Sequence, residues 1–131
     1  MAALDTNVVV RLMVGDDAAQ ARAAEKLLAS EPCTVAPSVL MECEWVLRGA
    51  YALDAPTIVA RLRGFLSLKN ISPADPVLTQ RTLDAYSAGV DFADAMHAAQ
   101  CADGLRFASF DKAFAKRALK AGLRGVTLLK S

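Results

Sequence analysis

Apolar positions along this chain follow two rhythms. Short apolar runs alternate with longer segments whose apolar residues recur every three or four positions, the pattern of sheet strands and the helices laid against them. The first run, Ala2-Ala3-Leu4, meets Asp5-Thr6-Asn7 at once. That change predicts a buried parallel strand ending in an exposed turn, with a helix leaving it. The helix spans 7–14 and Gly15 ends it. Asp16 or Asp17 then caps a helix through about Ala29, with Ala21, Ala24, Leu27 and Leu28 turned inward. Residues 33–36 read as a short strand, and Pro37 and Ser38 open a helix to about Tyr51. Asp54, Ala55 and Pro56 start another, ending near Leu68, with Ile58, Val59, Leu62, Phe65 and Leu66 as its apolar positions.

The second half continues the alternation. Ile71 lies in an extended segment before Pro73, and a helix over 76–88 is stopped by Gly89. A helix over 91–102 is expected to close with Gly104 as a left-handed cap. Residues 106–109 form a strand, 111–121 a helix closed by Gly122, and 126–129 a last strand. Such alternation implies an α/β layered fold with a mainly parallel sheet. The tandem helices after the second strand are the irregular part, either a small helical lobe or a hairpin offered to a partner.

Composition narrows the picture. At 131 residues the chain suits one domain, 1–131, and its 54% hydrophobic content suits a sheet covered on both faces, with room for a buried partner interface. A net charge of +1 does not point to a grip on nucleic acid through overall charge, so local distribution has to carry any such claim. Cys33, Cys43 and Cys101 are odd in number and form no close pair, as expected of buried free thiols in a reducing cytosol. Asp5 and Arg11 interrupt any leader-like apolar run, and no run approaches the ~20 residues of a membrane span. A cytoplasmic protein is expected.

Four acids carry the candidate chemistry. Asp5 and Asp111 each stand where a strand hands over to a helix, and each alone reads simply as an N-cap. Glu42 is bordered on its helix by Val39, Val46 and Trp45, an apolar setting that calls for a cation or a partner. Glu44 stands nearly opposite, four residues before Arg48, and is expected to form an exposed pair with it. Asp91 and Asp94 share a helix face, with Asp91 as cap or supporting group and Asp94 as the better ligand; His97 follows one turn on. Two unit charges about 4 Å apart repel by roughly 4 kcal/mol at an effective dielectric near 20. A hard cation relieves such repulsion, and oxygen donors without a histidine or thiolate cluster suit magnesium or manganese better than zinc. Lys112, Lys116, Lys120, Arg117 and Arg124, five of the fifteen basic residues, lie close in sequence to Asp111, where they could hold a phosphate backbone or form a solvated helix face. No aromatic platform for stacking bases is evident.

Leu4-Asp5-Thr6-Asn7-Val8, Val39-Leu40-Met41-Glu42 with Trp45-Val46-Leu47-Arg48, Val90-Asp91-Phe92-Ala93-Asp94-Ala95 and Ser109-Phe110-Asp111-Lys112 follow one another in a specific order. In this series the chain resembles a PIN-domain ribonuclease, specifically a VapC-type toxin of a bacterial toxin–antitoxin pair. The resemblance implies a three-layer α/β/α domain around about five parallel strands and an Mg²⁺- or Mn²⁺-dependent endoribonuclease. Its catalytic and metal-binding acids would be Asp5, Glu42, Asp94 and Asp111, with Asp91, Thr6, Asn7 and Ser109 where supporting residues fall. It further implies an RNA substrate, a homodimer, and neutralisation by a cognate VapB-type antitoxin, for which the 37–68 helical pair is a candidate groove. Two other classes compete. An aspartyl phosphotransferase of the haloacid dehalogenase type needs a second acid two residues after the first, where Asn7 stands. A non-catalytic Mg²⁺-binding domain, receiver-like or a degenerate PIN, would bind a partner and cut nothing; receivers usually carry an adjacent acid pair where this chain has Asp5 alone.

Overall fold

The computed structural model describes residues 1–101 and 103–131. The fold is of the α/β class, with five parallel strands in two sheets and seven helices among the described residues. The chain divides into two compact units, Met1–Pro76 and Val77–Ser131.

In the first unit, β1 (Ala2–Ala3), β2 (Cys33–Val35) and β3 (Ile71–Pro73) form a parallel sheet in the order β1-β2-β3. Ala2 pairs with Cys33, and Cys33 with Ile71. Backbone bonds carry the pairing past the strand ends, from Leu4 N–H to the Thr34 carbonyl at 3.0 Å and from Ala74 N–H to the Val35 carbonyl at 2.9 Å. β2 is central, with Cys33 and Val35 fully buried. Pro73 lies on an edge strand, where its missing N–H breaks no interior ladder. β1 differs from its expected buried character: Ala2 is half-buried and Ala3 exposed, and Leu4 alone of the run is buried.

The helices of this unit begin and end where local chemistry directs. α1 (Thr6–Val14) is closed by Gly15 at φ +70°, a conformation that glycine adopts without strain. α2 (Ala18–Ser30) is capped by Asp17, which accepts from Gln20 N–H at 3.0 Å. α3 (Pro37–Gly49) has proline in its first turn, and α4 (Ala55–Leu66) is capped by Asp54 through Thr57 N–H at 3.0 Å. The buried residues Val9, Val10, Cys33, Val35, Leu40, Leu47, Ile58 and Leu62 come from α1, β2, α3 and α4.

The second unit holds most of α5 (Pro76–Ser87), with α6 (Phe92–Ala99), β4 (Phe107–Ser109), α7 (Lys112–Lys120) and β5 (Val126–Leu128). β4 and β5 pair in parallel, Phe107 with Val126 and Ser109 with Leu128. Ala85, Val90, Ala95, Ala98, Phe114 and Ala118 form its core, against which Phe107, Leu123 and Val126 pack. Two edge-to-face ring pairs, Tyr86 with Phe92 and Phe107 with Phe114, have centroids 5.1 and 5.9 Å apart. α6 stops at Ala99 rather than running to Gly104. Gly104 is left-handed at φ +88°, but Gln100 is the cap, so the glycine shapes the following turn. The expected helical end at Ala102 falls outside the described residues. No described helix is long and apolar enough to cross a membrane.

Candidate functional site

Asp5 leaves the sheet with extended backbone (φ −78°, ψ 159°) and caps α1. Its Oδ1 accepts from Thr6 N–H at 2.7 Å, and its carbonyl accepts from Val8 and Val9 N–H at 3.1 and 3.2 Å. Thr6 is buried while Asp5 and Asn7 are exposed, so the acid stands on the surface at the carboxyl end of β1. That is the strand end at which open α/β sheets bind ligands.

α3 requires a correction. Glu42 is exposed, and Glu44 is only 3% exposed. The buried stripe of α3 is Leu40, Cys43, Glu44 and Leu47, spaced i, i+3, i+4 and i+7; Val39 and Val46, used to place Glu42 inward, are only half-buried. The Glu44–Arg48 pair forms, with Arg48 Nε donating to Glu44 Oε2 at 2.9 Å, but it ties a buried carboxylate to a half-exposed guanidinium. Trp45 points outward, 66% exposed. Glu42 is therefore free of the burial cost argued for it, and it stands as an accessible acid instead.

Cys43 connects the two acids of this unit. Burial pushes its thiol up to about 12, with further upward pressure from the charges of Glu42 and Asp5. Both carboxylates thus lie within electrostatic reach of one thiol, a relation invisible in the linear spacing. Cys33 and Cys43 are buried as expected, whereas Cys101 is half-buried; all three are free.

The second unit gathers its own acids. Asp91 caps α6, its Oδ2 accepting from Asp94 N–H at 3.3 Å. Asp94 is half-buried, and its carboxyl is pushed above the ordinary range first by burial, then by the charges of Asp91 and Asp111. His97, exposed one turn further on, opposes that rise. Asp111 caps α7, where Oδ1 accepts from Phe114 N–H at 2.9 Å and its own N–H donates to Ser109 Oγ at 3.0 Å. Ser109 therefore braces the turn that presents Asp111. Lys112, Lys116, Arg117 and Lys120 are all exposed on α7. Phe110, between Ser109 and Asp111, is 70% exposed, an aromatic face the sequence reading passed over.

Within neither unit, among the described residues, do three or more histidine, cysteine, aspartate or glutamate side chains form a group able to hold a metal ion. What each unit offers falls short of such a group: Asp5 and Glu42 each act electrostatically on Cys43 in one, and Asp91 and Asp111 each act on Asp94 in the other. The donors are carboxylate oxygens, which suit hard divalent cations, and the upward shift of Asp94 marks where positive charge would be welcome. Parallel α/β topology with acids at strand exits and helix starts defines a class of α/β domains that present carboxylates at the ends of their strands. The chain belongs to the PIN-domain family, whose model matches residues 2–120. That family has nuclease-type function and generally uses divalent metal ions. A direct comparison with curated proteins returns no match.

Proposed function

We propose that this chain is a metal-dependent endoribonuclease of the VapC toxin type, with Asp5, Glu42, Asp94 and Asp111 as its acidic residues and residues 1–131 acting as one PIN-like domain. The observation that carries the reading is the Asp94 carboxyl, half-buried and facing the charges of Asp91 and Asp111 in a chain of this family. Like-charge crowding of that kind is retained where a cation or a reaction uses it. The family match runs through both compact units, which supports treating them as one functional domain.

The four acids would hold Mg²⁺, or Mn²⁺, which when bound supplies polarisation of a phosphate and a lowered pKa for water. The chain's own contributions are positional. Ser109 Oγ and Phe114 N–H hold Asp111 by its backbone and one carboxylate oxygen, and Thr6 N–H holds Asp5 by one carboxylate oxygen. Lys112 and Lys116, exposed and one turn apart, would neutralise the phosphate backbone of RNA beside Asp111. The three free cysteines accord with a reducing cytoplasm. Exposed Trp45 on α3 and Leu68 just beyond α4 give the helical pair apolar surface suited to a VapB-type antitoxin segment or to a second copy in a homodimer.

A degenerate PIN domain that binds Mg²⁺ and a partner without cutting is the second reading, favoured by the lack of a three-residue metal group within either unit. Purified protein freed of antitoxin, incubated with RNA in Mg²⁺, Mn²⁺ or EDTA, separates them. Metal-dependent cleavage that disappears in Asp5→Asn is expected. Equal cleavage by both proteins would identify a contaminant, and metal binding without cleavage of any RNA would favour the degenerate domain.

A further inference from the structure

The second unit contains a cavity of about 640 Å³ at the end of its sheet away from Asp111. Arg106 stands just before β4 and Arg124 just before Gly125 and β5, while Arg81 reaches it from α5. β4 advances roughly 3.3 Å per residue from Phe107 to Ser109, so its length separates this rim from the acid at the other end. None of the three guanidinium groups makes an ion pair or hydrogen bond among the described residues. All three are exposed, so their guanidinium groups concentrate positive charge around one concavity.

The frame beneath them is stiff. Phe107 N–H donates to the Gly125 carbonyl at 2.8 Å, which ties the neighbours of Arg106 and Arg124 into the first rung of the β4–β5 pair. Gly125 has φ +82°, and a Cβ there would lie 2.9 Å from the Leu105 carbonyl oxygen, so the chain admits no side chain at this close approach. Ala85, on the same helix as Arg81, belongs to the core cluster. Asp84 and Asp103 share the rim, leaving a balance of three positive charges against two negative. That balance disfavours a bare polyanion. It suits a ligand that offers a phosphate to the guanidiniums and hydroxyl groups to the carboxylates, in a volume ordinary for small-ligand sites.

We propose that this cavity binds a nucleotide, with Arg81, Arg106 and Arg124 on its phosphate and Asp84 and Asp103 on its ribose hydroxyls. The nucleotide can be free or one unit of an RNA strand, and the chemistry of recognition is the same. The proposal does not depend on the nuclease reading, and its test uses no cleavage.

The full chain would be titrated with ADP in EDTA, followed by calorimetry and by thermal melting. A midpoint rise of roughly 3 °C or more at saturating ADP is expected. Arg106→Ala/Arg124→Ala should weaken ADP at least tenfold, and Arg124→Lys, which keeps the charge but loses the planar fork, should fall between. Lys26→Ala, on an exposed face of α2, controls for loss of one positive charge. A short oligoribonucleotide presented to the Asp5→Asn protein distinguishes the sources: competition with ADP identifies a nucleotide of the strand, and its absence identifies a free nucleotide. Failure of the wild-type chain to bind ADP or the oligonucleotide would overturn the proposal. So would undiminished ADP binding by the double variant with an unchanged melting profile. Should the double variant not melt cooperatively, Arg81→Ala and Arg124→Lys decide by the same criterion.

Discussion

Asp111 caps α7 and is one of the four acids of the proposed site, two roles that substitution can separate. Its Oδ1 accepts from Phe114 N–H at 2.9 Å, and Phe114 packs in the core of the second unit, so the cap fixes where a core helix begins. Asp111→Ala removes this acceptor and should cost about 1 kcal/mol, with a few tenths more from losing negative charge at a helix N-terminus. For a chain of this size that corresponds to a fall of roughly 3–6 °C in melting temperature. Asp111→Asn keeps an acceptor of the same geometry and loses only the charge. Because Asp111 is one of the charges that raise the Asp94 carboxyl, its loss also relieves a repulsion, and the net change should lie within about 0.5 kcal/mol. Both variants should lose metal-dependent cleavage. Thermal melting in EDTA reads the first effect, and RNA cleavage in Mg²⁺ reads the second. Equal destabilisation by Asn and Ala would refute the cap argument, and wild-type cleavage by the Asn variant would refute the placement of Asp111 among the acids.

On α3, Glu42→Ala should abolish cleavage and leave stability unchanged, because the side chain is exposed; Glu44→Ala should cost roughly 2 kcal/mol by deleting a buried acceptor of charge-assisted bonds, read by urea denaturation. A thiol raised to about 12 is protonated at pH 8, so Cys43 should resist iodoacetamide in the folded protein and react fully in guanidinium, as peptide mapping would show. Asp94 has a carboxyl that ionises above its unfolded value, so its charge weakens the folded state progressively as pH rises through and beyond the ordinary carboxylate range. Asp94→Asn should therefore melt higher than wild type at pH 7 in EDTA, with the difference vanishing below about pH 3.5 and shrinking when Mg²⁺ is added to the wild type.

Local punctuation made most of the fold legible. Gly15, Asp17, Pro37 and Asp54 act on the backbone within a few residues, and each helix boundary they announce lies where expected. Gly104 failed as a cap because a left-handed residue closes a helix only directly after its last turn, and α6 ends at Ala99. The orientation of α3 was harder to read. Two residues along a helix turn it by about 200°, so Glu42 and Glu44 could not both face inward, and the choice depended on which stripe the rest of the fold covers. Leu40, Cys43 and Leu47 form a tighter stripe than Val39 and Val46, and Glu44 sits on it. The arginine cavity left no signal in the sequence, since its three guanidiniums come from separate segments.

Capping and acid chemistry are not rival roles for these aspartates. The hydrogen bonds make them partners. Asp5 uses Oδ1, Asp91 uses Oδ2 and Asp111 uses Oδ1 to hold a helix start, and in each the cap occupies one of two carboxylate oxygens. The bond removes rotational freedom from the side chain before any ligand arrives, and the positive end of the helix offsets part of the repulsion among acids. Asp94 shows the limit of that device. It stands inside the first turn of α6 rather than at its cap, is half-buried, and its charged form is disfavoured by burial and by the charges of Asp91 and Asp111. The fold thus preorganises each capping acid within its own unit, and a cation near Asp94 would lower its raised carboxyl by offsetting the charges of Asp91 and Asp111.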